Sequence, residues 1–178
     1  MKRKKSNIIL IGMAGCGKST IGKMLAGSLS CGFVDTDKMI EKSQKRPLQE
    51  IIDSAGSIEF RRIEENLLLS LHVSNSVIAT GGSSVYSRKG MEHLKKDGYV
   101  VLLDVDLPVL VKRVRNAATR GLVKQPDQSF SDLFHERRPL YLQFADHMFR
   151  CREMSKKQVS KGILDMLTKQ LPTASRWG

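Results

Sequence analysis

Aromatic residues are scarce, at 6% of the 178 positions, so stacking platforms for single-stranded nucleic acid are poorly supplied. Acidic residues are in the minority, with 18 Asp and Glu against 30 Lys and Arg. The formal charge of +12 indicates an anionic partner, which could be a nucleic acid, a membrane surface or a small anion. Because aromatic residues are not interleaved with the basic ones, we expect a small anion and no obligate nucleic acid.

Cysteine and long apolar segments are also sparse. Cys16, Cys31 and Cys151 are an odd number without the spacing of a metal site, which favours reduced thiols in a cytoplasmic protein. No stretch approaches the length of about 20 apolar residues that a membrane-spanning helix needs, so we expect no membrane segment. Residues 1–178 are most simply one domain, with enough chain for a substantial core, and we expect a monomer.

Near the start of the chain, eight consecutive residues match the phosphate-binding pattern G-x-x-x-x-G-K-[ST] without a mismatch. Its glycines let backbone N–H groups close around phosphate oxygens, Lys18 can reach the β- and γ-phosphates, and the Ser19 hydroxyl can ligate Mg²⁺. A chance match is the alternative. The apolar run before the pattern and the helical spacing after it favour a nucleotide site at a helix N-terminus. The predicted nucleotide-binding residues are Gly12, Gly15, Cys16, Gly17, Lys18, Ser19 and Thr20.

Short apolar segments alternate with longer amphipathic ones, which predicts an α/β fold with a parallel sheet covered on both faces. We expect strands at 7–11, 32–35, 76–80, 100–103 and 147–150. We expect helices at 18–29, 57–71, 88–96, 108–115 and 156–167. Two regions fall outside this pattern. Residues 36–56 carry two short helical patterns and are predicted to hold a substrate, and the polar residues 116–131 are predicted to form a functional loop.

Two carboxylates follow the second predicted strand, in the sequence Asp35-Thr36-Asp37. Ligands of open α/β sheets bind outside the carboxyl ends of the strands, so these side chains should face the phosphate loop. One could order the hydration shell of Mg²⁺, while the other accepts a proton from a substrate hydroxyl. The alternative is a helix N-cap, for which Asp and Thr are common.

Arginines and a glycine pair form the remaining candidates. Arg61 and Glu64 are three residues apart on a predicted helix, so they could form a local ion pair, or Glu64 could fix Arg61 against a substrate carboxylate. Gly81-Gly82 could bring bare backbone N–H groups to a ligand or form a simple turn. A lid arginine could stabilise a transferring phosphoryl group, but spacing alone does not distinguish it from surface arginines. The basic candidates near the loop and late in the chain are Arg113, Arg115, Arg120, Arg137 and Arg138.

In their order, these motifs resemble the shikimate kinase family from Asn7 to about Ala145. The shared set is the phosphate loop, Asp-Thr-Asp, Gly-x-x-x-Phe-Arg-x-x-Glu, the glycine turn, a lid arginine and Arg-x-Pro-Leu-Tyr. The resemblance implies an α/β fold of the P-loop NTPase type, a three-layer sandwich similar to nucleoside monophosphate kinases with a five-stranded parallel sheet. The single kinase domain would carry a substrate-binding insertion at about 36–71 and a lid at about 116–131.

The resemblance also implies a reaction and residue roles. The γ-phosphoryl group of ATP would pass to the 3-hydroxyl of shikimate, with Mg²⁺, in aromatic amino-acid biosynthesis. The residues implied in catalysis are Lys18, Asp37 and Arg120. Those implied in ATP binding are the seven phosphate-loop residues, Arg115 and Arg120. Those implied in shikimate binding are Asp37, Arg61, Gly81, Gly82 and Arg137. The residues implied in Mg²⁺ binding are Ser19 and, through water, Asp35.

Three departures from the family pattern keep other interpretations open. Ser83 replaces the third glycine of the turn, Gly121 follows the lid arginine in place of a proline, and Phe149-Arg150-Cys151 replaces an Asp-Thr pair near the adenine loop. One alternative is a related P-loop kinase acting on gluconate or a nucleotide. The other is a nucleotide-binding regulator, or a protein associated with nucleic acid, that has no turnover.

Overall fold

A computed structural model describes residues 5–115, 121–125 and 127–170. The strands of these residues form one parallel sheet in the order β2-β3-β1-β4-β5. Their bounds are β1 (Asn7–Ile11), β2 (Gly32–Asp35), β3 (Ser76–Ala79), β4 (Gly98–Asp104) and β5 (His147–Arg150). All five predicted strands are confirmed. β4 begins before its predicted start because Gly98 and Tyr99 already pair with β1.

The helices cover both faces of the sheet. Their bounds are α1 (Lys18–Ser28), α2 (Thr36–Gln44), α3 (Leu48–Ser70), α4 (Arg88–Asp97), α5 (Leu107–Arg115), α6 (Phe130–Phe144) and α7 (Lys156–Gln170). A single 3₁₀ turn, Ser84–Tyr86, precedes α4. The predicted helix at 57–71 is the second half of α3, which kinks at Gly56, where φ is 80°. No helix in the described ranges is both long and apolar enough to cross a membrane.

The helix α6 is absent from the sequence-based prediction. Its buried residues recur at helical spacing, but an arginine interrupts the apolar stripe and Pro139 lies inside the helix. Both features lower the helical signal, since proline removes a backbone donor and a stripe is recognised by its apolar positions. Its beginning is nevertheless well defined, because Ser129 and Asp132 form a reciprocal capping box. The buried positions of α6 are Leu133, Arg137, Tyr141 and Phe144.

Two apolar clusters stabilise the part of the chain that the structure describes. The larger one surrounds the sheet, and β1 is buried along its whole length because helices cover both faces. The smaller one joins α2, both halves of α3 and Val123 of the predicted lid. Truncating one of its buried side chains, such as Ile51, would cost about 2–5 kcal/mol of folding free energy. The members of the smaller cluster are Ile40, Ile51, Ile52, Phe60 and Val123.

Strand order determines where a ligand can bind. β1 lies between β3 and β4, and β2 lies beyond β3 at one edge of the sheet. A crevice therefore opens at the carboxyl ends of these strands, where successive connections diverge. The loop from β1 to α1, the start of α2 and the glycine turn after β3 all lie at this edge.

Candidate active site

The phosphate loop adopts a backbone that depends on glycine. At Gly12 φ is 142°, and a Cβ there would lie 2.9 Å from the Leu103 carbonyl oxygen and 3.0 Å from Cys16 Sγ. A side chain would therefore strain the backbone and collide with the loop and with β4. Gly17 caps α1, so the first N–H groups of that helix face the end of the sheet.

Lys18 is held by the loop that it follows. Its ammonium group donates hydrogen bonds to the carbonyl oxygens of Gly12, at 2.6 Å, and Met13, at 3.0 Å. The side chain is only 9% exposed, so its charge is directed along the loop rather than into solvent. These neutral carbonyl partners keep the amine in reach of an anion that binds to the loop.

An open cavity of about 630 Å³ lies at the carboxyl edge of the sheet. The phosphate loop forms one side, while α2, the start of α3 and residues 121–123 form the other. The predicted residues that line it are Gly15, Gly17, Lys18, Ser19, Thr20, Asp35, Asp37, Gly82 and Arg137.

Other predicted residues take different positions. Gly12 and Cys16 are buried within the phosphate loop, and in the described structure Arg61 and Gly81 are not among the residues that line the cavity. The backbone of Arg115 ends α5, but its side chain lies outside the described structure, as does the whole of Arg120.

The two carboxylates after β2 have different environments. Asp35 accepts a hydrogen bond from the Lys38 backbone N–H at 3.2 Å and caps α2, so the N-cap interpretation is confirmed for this residue. Asp37 lies in the first turn of α2 and lines the cavity. Burial raises the pKa of its carboxyl to about 6, and the charges of Asp35 and Glu41 add to the rise while Lys18 opposes it.

Glu64 is buried behind the glycine turn. Its side chain is 1% exposed, and one carboxyl oxygen accepts a hydrogen bond from the Ser83 hydroxyl at 2.6 Å. Burial raises the pKa of Glu64 to about 7, with the nearby Asp37 acting in the same direction. Neither arrangement of Glu64 and Arg61 that the sequence left open is present among the described residues: Glu64 bonds to Ser83, and its second oxygen has no partner.

The same carboxylates explain why position 81 is glycine. A Cβ on Gly81 would overlap Oε1 of Glu64 and lie 2.6 Å from Oδ1 of Asp37. The Gly81 N–H donates to the Thr36 hydroxyl at 3.0 Å, and the Gly82 carbonyl accepts from the Tyr141 hydroxyl at 2.6 Å. The turn is therefore fixed from both sides. Burial raises the pKa of Tyr141, so this hydroxyl remains a donor.

Arg137 is the largest fully buried side chain of the site. It is 1% exposed, donates from Nη2 to the Val123 carbonyl and contacts the hydroxyl of Tyr86 through Nε at 3.4 Å. Arg61 also contacts this tyrosine, with its guanidinium carbon 3.6 Å from the ring centroid. The two predicted carboxylate-binding arginines therefore meet at one ring, although Arg137 alone of the two lines the cavity in the described structure.

Three further basic residues of the described structure line the cavity, namely Lys38, Arg113 and Lys156. Arg113 Nη1 donates to the Gly15 carbonyl at 3.3 Å and lines the cavity, as does Lys156 at the start of α7. The family resemblance implied a nucleotide role for Arg115 instead. Helical spacing distinguishes the faces of α5, but it does not reveal which face meets the phosphate loop. Tyr86 has no sequence signal that marks it as part of the site.

The fold and this cavity are those of a P-loop kinase, because the phosphate loop, a carboxylate and several basic side chains line the same cavity. Comparison with known proteins narrows this class. The family model described as "Shikimate kinase" matches residues 14–168. A shikimate kinase from a Sulfurihydrogenibium species is 34% identical, over 92% of this chain and 99% of that protein. The chain belongs to the shikimate kinase family, as its motifs predict.

Solved structures agree with this assignment. The shikimate kinase from Acinetobacter baumannii, solved in complex with shikimate, has a TM-score of 0.87 and 29% sequence identity, covering 94% of this chain and 95% of that one. A thymidylate kinase from Candida albicans, at 14% identity and a TM-score of 0.51 over 94% of this chain and 92% of that one, shares the fold alone. The predicted fold class is confirmed.

Proposed function

We propose that this chain transfers the γ-phosphoryl group of ATP to the 3-hydroxyl of shikimate. The observation that carries the proposal is the single cavity that joins the phosphate loop, Asp37 and Arg137. An acceptor bound there has a donor phosphate on one side, a carboxylate for its hydroxyl proton and a guanidinium for its own carboxylate. Family membership supports the same assignment.

The donor half of the reaction uses the loop and α1. Backbone N–H groups at the helix N-terminus bind the phosphates, and Lys18 exchanges its bonds to Gly12 and Met13 for the β- and γ-phosphate oxygens. These contacts hold the leaving group in line with the acceptor, which is the main contribution of a protein to phosphoryl transfer. The proposed role of Arg120 as a lid arginine concerns a residue outside the described structure.

The cavity beside the phosphate loop also fits Mg²⁺. Ser19 and Asp35 line one cavity and offer hard oxygen donors, which Mg²⁺ prefers. No group of three or more His, Cys, Asp or Glu suited to a metal exists in the described ranges, which fits an ion held chiefly by phosphate and water. Ser19 would bind the ion directly and Asp35 through water. When bound, the ion would neutralise charge on the β- and γ-phosphates.

The acceptor half depends on Asp37 and the arginines. The 3-hydroxyl oxygen attacks the γ-phosphorus while its proton passes to the Asp37 carboxylate. The bond from the γ-phosphorus to the bridging oxygen breaks, and ADP leaves with that oxygen. Arg137 and Arg61 bind the shikimate carboxylate as forked donors, and the Gly81-Gly82 backbone supports the ring. We also propose that the chain acts as a monomer in the cytoplasm.

An acceptor panel tests the proposal. With ATP and Mg²⁺ in excess, ADP release is measured by a coupled assay with shikimate, gluconate or a nucleoside monophosphate as acceptor. We expect turnover with shikimate, formation of shikimate 3-phosphate, and loss of turnover in Lys18→Met. ATP binding without turnover on any acceptor would instead support a regulator. Turnover on gluconate or a nucleotide alone would support the related kinases.

A further inference from the structure

Two positive side chains, one of which lines the cavity, share one aromatic ring. The guanidinium carbon of Arg61 lies 3.6 Å from the centroid of the Tyr86 ring, and that of Arg137 lies 5.3 Å from it. Cations within about 6 Å of an aromatic face are attracted by its quadrupole. Like charges this close to a common ring would otherwise repel each other in a poorly hydrated site. The ring therefore offsets the repulsion between the two arginines.

The position of the ring is itself fixed. Tyr86 ends the 3₁₀ turn that follows the glycine turn, and its hydroxyl donates to Glu136 of α6. The same hydroxyl accepts from Arg137 Nε at 3.4 Å. Glu136 accepts a second hydrogen bond from Gln128. These bonds lower the pKa of Glu136, with the charges of both arginines acting in the same direction, so Glu136 is a carboxylate beside them.

Arg61 depends on the ring more than Arg137 does. Arg137 has hydrogen bonds to Val123 and Tyr86, whereas among the described residues Arg61 makes no hydrogen bond or ion pair and its buried Nε is unpartnered. Glu64, the neighbour expected to fix Arg61, is bonded to Ser83 instead. Stacking on Tyr86 is thus the contact that orients this guanidinium, and it leaves the N–H edge free for an anion.

We propose that Tyr86 is a positioning residue that holds Arg61 next to Arg137, so that the two guanidinium groups together select a carboxylated acceptor. This inference rests on the proposed function. It goes beyond the arginines themselves by assigning acceptor selection to an aromatic ring that touches neither the nucleotide site nor the reacting hydroxyl. Loss of the ring weakens binding of the acceptor carboxylate and leaves the chemical step intact.

Steady-state kinetics of two variants test this role. Tyr86→Leu should raise KM for shikimate by about 10-fold, the size of a desolvated cation–π contact, with kcat and KM for ATP unchanged. Tyr86→Phe keeps the ring and loses the hydroxyl bonds to Glu136 and Arg137, so KM for shikimate should rise by less than it does in Tyr86→Leu. For a shikimate analogue with hydroxymethyl in place of carboxylate, Tyr86→Leu should leave KM unchanged.

Two controls separate positioning from general damage. Tyr99→Leu removes a ring that also contacts a cation, Lys5 at 4.8 Å, but at the opposite end of the sheet, so KM for shikimate should not change. The double variant Tyr86→Leu with Arg61→Met should raise KM for shikimate by much less than the two single effects combined, because the ring acts chiefly through Arg61.

Activity of the parent protein on shikimate separates a failure of the proposed function from a failure of the role of Tyr86. If the parent protein does not phosphorylate shikimate, the proposed function is wrong, and the role of Tyr86 falls with it. If the parent protein does so, three results overturn the role of Tyr86 alone. These are an unchanged KM in Tyr86→Leu, an equal rise in KM for the hydroxymethyl analogue, and effects of Tyr86→Leu and Arg61→Met that add.

Discussion

Asp37→Asn should lower kcat for shikimate phosphorylation by about 10²- to 10⁴-fold, the range over which a positioned general base accelerates a reaction. The amide keeps the shape of the side chain and cannot take the hydroxyl proton. KM for ATP should change little, because the phosphate loop binds the nucleotide independently of this carboxyl. The measurement is the coupled ADP assay at saturating ATP and shikimate.

The pH dependence of kcat/KM provides a second test of the general-base role of Asp37. The pKa of Asp37 is raised to about 6, so its carboxyl is the proton-accepting carboxylate above that pH and is protonated below it. In the parent protein kcat/KM for shikimate should fall as pH drops through this value, and Asp37→Asn should lose that step. Asp53→Asn is the matched control, because Asp53 is an exposed carboxylate that accepts from Gln49 Nε2 at 2.7 Å. Retention of parent kcat in Asp37→Asn would exclude the general-base role.

Arg137→Met should lower kcat/KM for shikimate by about 10²- to 10³-fold, as expected when one partner of a buried charge pair is removed. The side chain is 1% exposed, and its loss removes a forked donor from the acceptor wall. It also leaves the charge of Glu136 without one of the two guanidinium groups beside it. The assay varies shikimate at saturating ATP.

The neighbouring arginine provides the control for Arg137→Met. Arg138 pairs with Asp104 at 3.2 Å, has a side chain that is 38% exposed and does not line the cavity in the described structure. Arg138→Met should therefore keep the parent kcat/KM. Because position 137 is buried, ATP binding by Arg137→Met is measured to show whether the variant still folds. A folded Arg137→Met variant with parent KM for shikimate, or equal losses in both variants, would contradict the role of Arg137.

The fold was predictable because its signals are local. Each strand is a short apolar segment, and the phosphate loop is a contiguous pattern whose glycines, Lys18 and Ser19 act within one turn of chain. Alternation of strands and helices then restricts the topology to a parallel sheet whose carboxyl ends form the site. Asp35 and Asp37 could be assigned to the site on that ground alone.

The arrangement of side chains within the site was less predictable. Glu64 and Arg61 are near neighbours along α3, yet Glu64 bonds to Ser83, a residue 19 positions away. A buried carboxylate takes the best available donor in three dimensions, and sequence spacing does not rank donors from other elements. Tyr86 was not predicted for the same reason, because its contacts with the two arginines form only when α3, the 3₁₀ turn and α6 pack together.

A buried arginine also explains why α6 was not predicted. Arg137 occupies an inward position of α6 where an apolar residue is expected, so the stripe lost its periodicity at the residue that matters for the acceptor. Functional sites are where local rules fail in this way, because a charge buried for binding contradicts the pattern that packing alone would select.

The structure of the complex with ADP, Mg²⁺ and shikimate tests the central claim most directly. The account predicts that the 3-hydroxyl of shikimate lies within hydrogen-bond reach of the Asp37 carboxyl, on the side of the phosphate loop. It also predicts that the shikimate carboxylate is bound by Arg137 and by Arg61 stacked on Tyr86. A shikimate molecule bound with its carboxylate away from both arginines, or with another hydroxyl at Asp37, would contradict it.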